Sequence, residues 1–365
     1  MIKREFWQQF DYLLFGSVLI LCIFGIAMIQ SAVAGNADIA GSVSRQVIFV
    51  IAGMIVLLLV SLIDYRYFSS VTRILYALSV LVLIAIYVIG TAVYGSARWF
   101  DTGVILIQPS ELVKTIMIII LADYFSKTQF DPKNLQWILK GFFLTAGVVI
   151  WIFLQPNLSM SIVIFFIWFA LLFYSGLPLK YLLIFAVVVV LVILIAFPRL
   201  ADYQQLRVLN FIFPDPNASY GDNYNVEQAK ISIGSGGLFG MGYGHGTQVQ
   251  LRFLKVRHTD FIFSAMANEF GFIGTVIVIA LLFFVVIRCF RIGLMASDLF
   301  GSLIAYGFGT LIFFQIAVNI GVNLNVIPVT GLTLPFISYG GSSLASLLLG
   351  IGFVESVSAH RHQNI

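Results

Sequence analysis

The stretch FIFSAMANEFGFIGTVIVIALLFFVVIR, residues 261–288, decides how this chain folds. It is overwhelmingly apolar, and about 20 such residues already carry an α-helix across the hydrocarbon core of a bilayer. The rest of the chain has the same character. Of its 365 residues, 60% are hydrophobic and only 10% charged, against about 25% charged in a soluble domain. An ordinary soluble enzyme is therefore excluded. Thirty-five Phe and 15 Tyr point the same way, because so many rings need a very large dry core or lipid to face.

Outward from residues 261–288, further apolar runs predict spans at 12–33, 46–63, 73–94, 111–125, 138–155, 158–175, 178–197, 299–324 and 335–357. The fold class expected is thus an all-α polytopic membrane protein with about ten transmembrane helices. It forms one integral membrane domain over residues 1–365, with a long loop, about 198–260, between helices 7 and 8. Each helix satisfies its own backbone where water is absent. The N-terminus, Met1-Ile2-Lys3-Arg4, runs into the first apolar segment without a small-residue cleavage site and reads as an uncleaved span. Cys22 and Cys289 lie in apolar stretches, so neither a disulfide nor a metal framework is expected.

The net charge of +4 would suit nucleic acid, but the basic residues are scattered among apolar runs, so topology accounts for them and no nucleic-acid partner is expected. With a cytoplasmic N-terminus, the inner segments carry Lys3, Arg4, Arg66, Arg73, Lys127, Lys133, Lys140, Lys180, Arg288, Arg291 and Arg361. The short outer loops carry only Arg45 and Arg98. The excess of basic residues on the inner side selects this orientation, with both termini cytoplasmic and the long loop outside.

Polar side chains inside lipid are costly, so those present are candidates for function. Sorted by depth, they gather on the outer side. Arg98 and Asp101 lie in an outer loop. Glu111 and Lys114 share a helix face behind Pro109, and Gln155-Pro156-Asn157 forms a turn. His258-Thr259-Asp260 leads into the eighth span, Asn319, Asn323 and Asn325 end the ninth, and Ser338-Tyr339-Gly340-Gly341 opens the tenth. Plainer readings stand beside these. Glu111 and Lys114 fit a structural ion pair as well as a functional one. The Asn residues fit helix–helix hydrogen bonding, and Asp260 fits a helix N-terminal acid favoured by the dipole. Seven glycines from Gly234 to Gly246 match neither G-x-G-x-x-G nor a Walker lysine spacing, so a flexible loop is expected. His245 and His258 lack zinc spacing.

These same residues carry a resemblance. Arg98-Trp99, Gln108-Pro109-Ser110-Glu111 with Lys114, Gln155-Pro156, Gly234-Ser235-Gly236-Gly237-Leu238 and His245-Gly246-Thr247-Gln248 closely resemble the SEDS family of bacterial cell-wall polymerases. So do Arg257-His258-Thr259-Asp260-Phe261, Asn319-Ile320-Gly321, Pro328 and Leu334-Pro335-Phe336-Ile337-Ser338-Tyr339-Gly340-Gly341-Ser342. The match runs in order from the first span to the last and is more similar to the RodA, or elongation, branch than to the FtsW, or division, branch. Asn157 stands where the family usually has Asp, keeping hydrogen-bonding atoms but no charge. Lys255 replaces a usual proline.

The resemblance implies an inverting glycosyltransferase that polymerises lipid II into β-1,4-linked glycan strands at the outer face of the cytoplasmic membrane during cell elongation. Asp260 is then the catalytic base. Arg98, Glu111, Lys114, Asn157, Arg207, His258, Thr259 and Ser338 are candidate substrate-binding residues. Mg²⁺ or Mn²⁺ is a candidate aid to the departing pyrophosphate, and no organic cofactor is expected. Implied partners are the growing lipid-linked glycan, a class B penicillin-binding protein transpeptidase and other elongation-complex membrane proteins. Two rivals remain, a lipid II flippase and a non-catalytic scaffold for the transpeptidase. Ionisable residues near mid-bilayer and an internal duplication would favour the flippase, and neither is evident in the sequence.

Overall fold

A computed structural model describes residues 4–35, 39, 41–89, 91–93, 96–101, 106–178, 181, 185, 187, 197–200, 202–213 and 221–361. After a short helix α1 (Arg4–Gln9), long helices follow: α2 (Tyr12–Val33), α3 (Ser42–Leu62), α4 (Tyr67–Ile89), α5 (Pro109–Lys127), α6 (Leu135–Leu154) and α7 (Leu158–Tyr174). The long loop holds α8 (Asp202–Ile212), α9 (Gly221–Ser235) and the one-turn α10 (Thr247–Gln250). The chain then closes with α11 (Ile262–Met295), α12 (Leu299–Asn323) and α13 (Gly341–Ala359). Nine of the ten expected spans are therefore helices among the described residues. The seventh, 178–197, lies largely outside them.

Local chemistry explains where several helices start. Asp11, Asn134, Asn157 and Asp298 each precede a helix and accept a hydrogen bond from a backbone N–H of its first turn. Each cap satisfies one of the donors that a helix N-terminus leaves free. Between α4 and α5, the outer loop forms three short antiparallel strands, β1 (Thr91–Val93), β2 (Ser96–Asp101) and β3 (Leu106–Ile107), in that order.

Packing divides the helices into an inner and an outer set. α5 is buried on nearly every side, as are α12 and α13, the pattern of a core helix. α3 and α4 instead expose rows such as Ile48, Ile51 and Ile55, and Ile74, Leu78 and Leu81. That much exposed aliphatic surface is stable against acyl chains and would be an aggregation patch in water. α13 packs chiefly on α3, and α11 on α12.

Residues 261–288 do not form an unbroken rod. α11 breaks at Gly271, whose φ of 66° and ψ of −167° lie outside the helical region. The first segment, Ile262–Glu269, is buried throughout. The glycine run docks onto the break and is not the flexible loop expected. Met241 and Gly242 N–H donate to the Asn268 and Glu269 carbonyls (3.0 and 2.9 Å). Phe272 and Ile273 N–H donate to the Gly237 and Leu238 carbonyls (2.8 and 3.1 Å). A Cβ on Gly271 would lie 2.3 Å from the Gly240 nitrogen, so no other residue fits this crossing without moving the backbone. A helix interrupted where protein covers its freed backbone groups is one of the few irregularities tolerated at membrane depth.

Candidate active site

Asp260 sits at the mouth of the buried half of α11, and its backbone is held from the side by α12. The Asn319 and Asn323 side-chain amides both donate to the Asp260 carbonyl, each over 3.0 Å. Asn319 also donates to the Leu332 carbonyl at 2.8 Å, while the Asn323 oxygen accepts from the Ser264 N–H at 3.1 Å and its hydroxyl at 2.6 Å. The sequence reading offered these asparagines both as members of the outer polar cluster and, more plainly, as helix–helix hydrogen-bonding residues. Their i, i+4 spacing on an apolar helix was the available signal for a shared face.

The α12–α13 connector closes the other side. Ser338 Oγ donates to the Thr259 carbonyl (2.8 Å) and accepts from the Leu334 N–H (2.9 Å), and the Tyr339 N–H donates to the His258 carbonyl (2.9 Å). Three consecutive carbonyls, those of His258, Thr259 and Asp260, are thus fixed by groups some 60 to 80 residues away. Gly331 faces the Asp260 carboxylate, which would stand 3.8 Å from a Cβ at that position. Ser338 is buried and spends its hydroxyl on this frame.

The carboxylate itself has no hydrogen-bond or ion-pair partner among the described residues. Burial pushes the Asp260 carboxyl up from its ordinary value to about 6, against the pull of Arg207 and with a small push from Asp222. Arg207 and Asp222 are themselves paired at 3.0 Å, which ties α8 to α9. His258 is held below the ordinary imidazole value by burial and then by Arg257, so it is neutral at pH 7. Its buried Nδ1 finds no partner among the described residues, and neither does the buried Nδ2 of Asn157. Such orphaned atoms are uncommon and mark places where a ligand or water completes the set.

The remaining expected residues divide. Lys114 pairs with Glu111, and its side chain is 0% exposed. Ser346 Oγ reaches the same Glu111 carboxylate at 3.4 Å, and Ser342 Oγ accepts from the Gln108 N–H at 3.0 Å, so α5 is tied to the first turns of α13. Asn157 caps α7, and Ser159 in the next turn donates to the Thr330 carbonyl at 2.6 Å. The connector between α12 and α13 therefore touches the Asp260 frame and, through Thr330, α7, while the first turns of α13 that follow it touch α5. Arg98 lies in β2, and its side chain falls outside the described residues. Lys255, in place of a usual proline, lies over the Tyr224 ring of α9, 5.4 Å from its centroid.

Arg257, which belongs to the Arg257-His258-Thr259-Asp260-Phe261 motif, is buried and donates to the Ala32 carbonyl at the end of α2. Residues missed by sequence reasoning also gather here. Ser31 donates to the buried Glu269. Gln46 of α3 donates to the Ser338 carbonyl at 3.3 Å. Among the described residues no group of three or more His, Cys, Asp or Glu side chains could hold a metal.

The opposite end of the bundle carries its own charges, so polar clusters are not confined to the Asp260 end. Arg288 pairs with Asp11, whose N–H donates to the buried Glu355 at 2.9 Å, and Arg66 pairs with Asp64 and Asp298. Glu269 and Glu355 are buried within spanning helices, which the sequence reading did not anticipate. Both lie near helix ends and not at mid-span.

This architecture has known counterparts. A family model described as cell cycle protein, FtsW/RodA/SpoVE, matches residues 11–363. Peptidoglycan glycosyltransferase MrdB of Escherichia coli strain K12 is 34% identical over 364 residues, spanning 98% of this chain and 96% of the relative. Stage V sporulation protein E of Bacillus subtilis strain 168 is 34% identical over 363 residues, spanning 96% and 97%. Among solved structures, a chain of a peptidoglycan synthase complex matches with a TM-score of 0.83 at 31% identity, over 97% of this chain and 99% of that one. The rod shape determining protein RodA of Thermus thermophilus matches with a TM-score of 0.72 at 30% identity, over 97% and 98%. With sequence agreement over nearly its whole length and the same helical architecture, the chain belongs to the FtsW/RodA/SpoVE family.

Proposed function

We propose that this chain is a peptidoglycan glycosyltransferase that polymerises lipid II into β-1,4-linked glycan at the outer face of the cytoplasmic membrane during elongation. The observation that carries the reading is the Asp260 carboxylate, without a hydrogen-bond or ion-pair partner among the described residues, on a backbone pinned by Asn319 and Asn323. A base needs an available lone pair and a fixed position, and a pKa near the working pH improves it. At about 6, Asp260 is mostly ionised at pH 7 and more basic than a free aspartate.

In the proposed step the Asp260 carboxylate takes the proton of the acceptor sugar's 4-hydroxyl. That oxygen attacks the donor's anomeric carbon from the face opposite the lipid pyrophosphate, which leaves with the bonding pair. Inversion gives the β linkage. The leaving charge requires cations. Arg207, which already acts on the field at Asp260, is the first choice, with Arg98 as a further source, while Lys114, sealed against Glu111 with its side chain 0% exposed, contributes its field but no direct contact. His258, Thr259 and Asn157 supply neutral contacts to the sugars, and Ser338 acts on the substrate through the backbone it positions. A Mg²⁺ or Mn²⁺ would arrive with the pyrophosphate.

The outer-face orientation rests on charge. Arg66, Arg73, Lys127, Lys133, Lys140, Arg288 and Arg291 lie toward the end of the bundle opposite Asp260, as expected when that end and both termini are cytoplasmic. The likeness to a chain of a peptidoglycan synthase complex supports a class B penicillin-binding protein transpeptidase as partner, together with other elongation-complex membrane proteins. Fluorescent lipid II incubated with purified protein, with and without that transpeptidase, tests the reading. Wild type makes glycan, and Asp260→Asn falls by roughly 10²- to 10⁴-fold, the usual contribution of a general base. Transbilayer movement of labelled lipid II in liposomes without glycan product would instead favour the flippase.

A further inference from the structure

A second polar hollow lies at the end of the bundle opposite Asp260, between the first turns of α4, the last turns of α5 and the side of α6. Its volume is about 510 Å³. Ser69, Ser70, Arg73 and Tyr76 line it from α4, Lys127 from α5 and Leu144 from α6. Asp123 lies on its floor but is already saturated: Ser69 and Thr72 donate to it, and Lys127 pairs with it at 2.8 Å. Arg73 is exposed and has no partner among the described residues, and Lys127 remains 60% exposed. A second hollow of about 310 Å³ adjoins the first, sharing Tyr124 and Thr128, and brings the exposed Lys140 to the same side.

The surroundings choose the source of the anion. Ile74 follows Arg73 in α4 and is 60% exposed, and Phe143, one turn from Lys140 in α6, is 66% exposed. Both are lipid-facing, so the hollow lies beside the bilayer. Deeper in, Tyr76, Ile120 and Leu144 add an apolar wall. Basic groups and hydroxyls at headgroup depth above apolar surface match a lipid that has a phosphodiester on one end and an acyl chain on the other. Basic pockets between helices at a membrane surface hold anionic headgroups in this way.

We propose that these two adjoining hollows together bind the headgroup of an anionic phospholipid, with Arg73 from the larger and Lys140 from the smaller engaging the phosphate and the first acyl carbons lying along Tyr76 and Leu144. The site is separate from Asp260 and does not depend on the sugar-transfer reading.

Native mass spectrometry of the purified full chain, delipidated and offered phosphatidylglycerol and phosphatidylethanolamine in equal amounts, tests the assignment. Wild type retains phosphatidylglycerol preferentially. The double variant Arg73→Ala, Lys140→Ala binds it about 30-fold more weakly, from two basic groups at about 1 kcal/mol each. The charge-preserving Arg73→Lys, Lys140→Arg pair keeps the preference, which separates lost charge from damaged folding. Equal retention of the two lipids, or unchanged binding by the alanine variant, overturns the site. Displacement of phosphatidylglycerol by millimolar inorganic phosphate overturns the lipid assignment in favour of a soluble anion.

Discussion

The side-chain amide of Asn323 donates to the backbone carbonyl of Asp260 over 3.0 Å, while its oxygen accepts from the N–H of Ser264 on the far side of the α11 N-terminus. One residue of α12 thus holds both the last loop residues and the first helical turn that set where the Asp260 carboxylate points. Asn323→Ala removes five side-chain hydrogen bonds, two of them to Asn319, at a fully buried position. A cost of about 1–3 kcal/mol in stability is expected from the groups left unsatisfied. In a polymerisation assay, kcat should fall about tenfold or more with KM changed little, because position and not affinity is lost. Unchanged kcat at an unchanged unfolding midpoint would rule out the positioning role.

Polymerisation should depend on pH through Asp260. The base is active when ionised, so kcat/KM rises with pH through about 6 and levels off above it. A profile flat from pH 5 to 8 would contradict a base with this environment.

The same group makes a stability prediction of definite sign. Its folded pKa is raised, so the unfolded chain ionises first as pH rises and the folded state is penalised. The penalty is absent below about 3.8, grows between there and about 6, and is complete above. Asp260→Asn, which carries no charge, should therefore melt higher than wild type at pH 8, with the difference shrinking toward pH 4. Thermal unfolding of the two proteins at several pH values reads this directly.

Glu111 and Lys114 left two readings open in the sequence, and their burial makes them separable. Glu111→Gln strands a cation at a position with 0% exposure, which should cost about 3–5 kcal/mol. Glu111→Gln with Lys114→Met removes both charges and should recover most of that stability. If the double variant is stable but inactive toward lipid II, the charge serves the reaction. If it is stable and active, the pair is only a brace.

At Gly271 the backbone leaves no choice. Gly271→Ala places a methyl 2.3 Å from the Gly240 nitrogen at a φ of 66°. Undocking of the 237–242 segment and a loss of more than about 2 kcal/mol are expected. Gly234→Ala, where nothing lies within 4 Å, should be tolerated. Limited proteolysis between residues 234 and 246 distinguishes a docked loop from a released one.

Much of the fold was legible because lipid imposes a crude rule. A span must be long, apolar and helical, and runs such as 12–33 and 299–324 satisfy it almost to the residue in α2 and α12. The site was legible in part. Asp260, Glu111 and Lys114 stood out as ionisable groups in apolar surroundings. Glu269 and Glu355 were masked by equally apolar neighbours, and no local pattern distinguishes a glutamate buried in protein from one facing water. The break at Gly271 escaped as well, because Gly271 and Gly274 within a long apolar run are compatible with a straight helix.

The amino-acid sequence by itself determined that the chain lives in a membrane, how many times it crosses and which side carries the basic residues. Those properties are sums over residues, independent of which helix touches which. Only the tertiary structure decided that the glycine run locks into a broken helix, that Lys114 is sealed against Glu111, and that Asn319, Asn323 and Ser338 converge on the backbone around Asp260. Hydrogen bonds between groups 59 to 79 residues apart depend on helix rotation and depth to within an ångström. Hydrophobicity along the chain constrains neither.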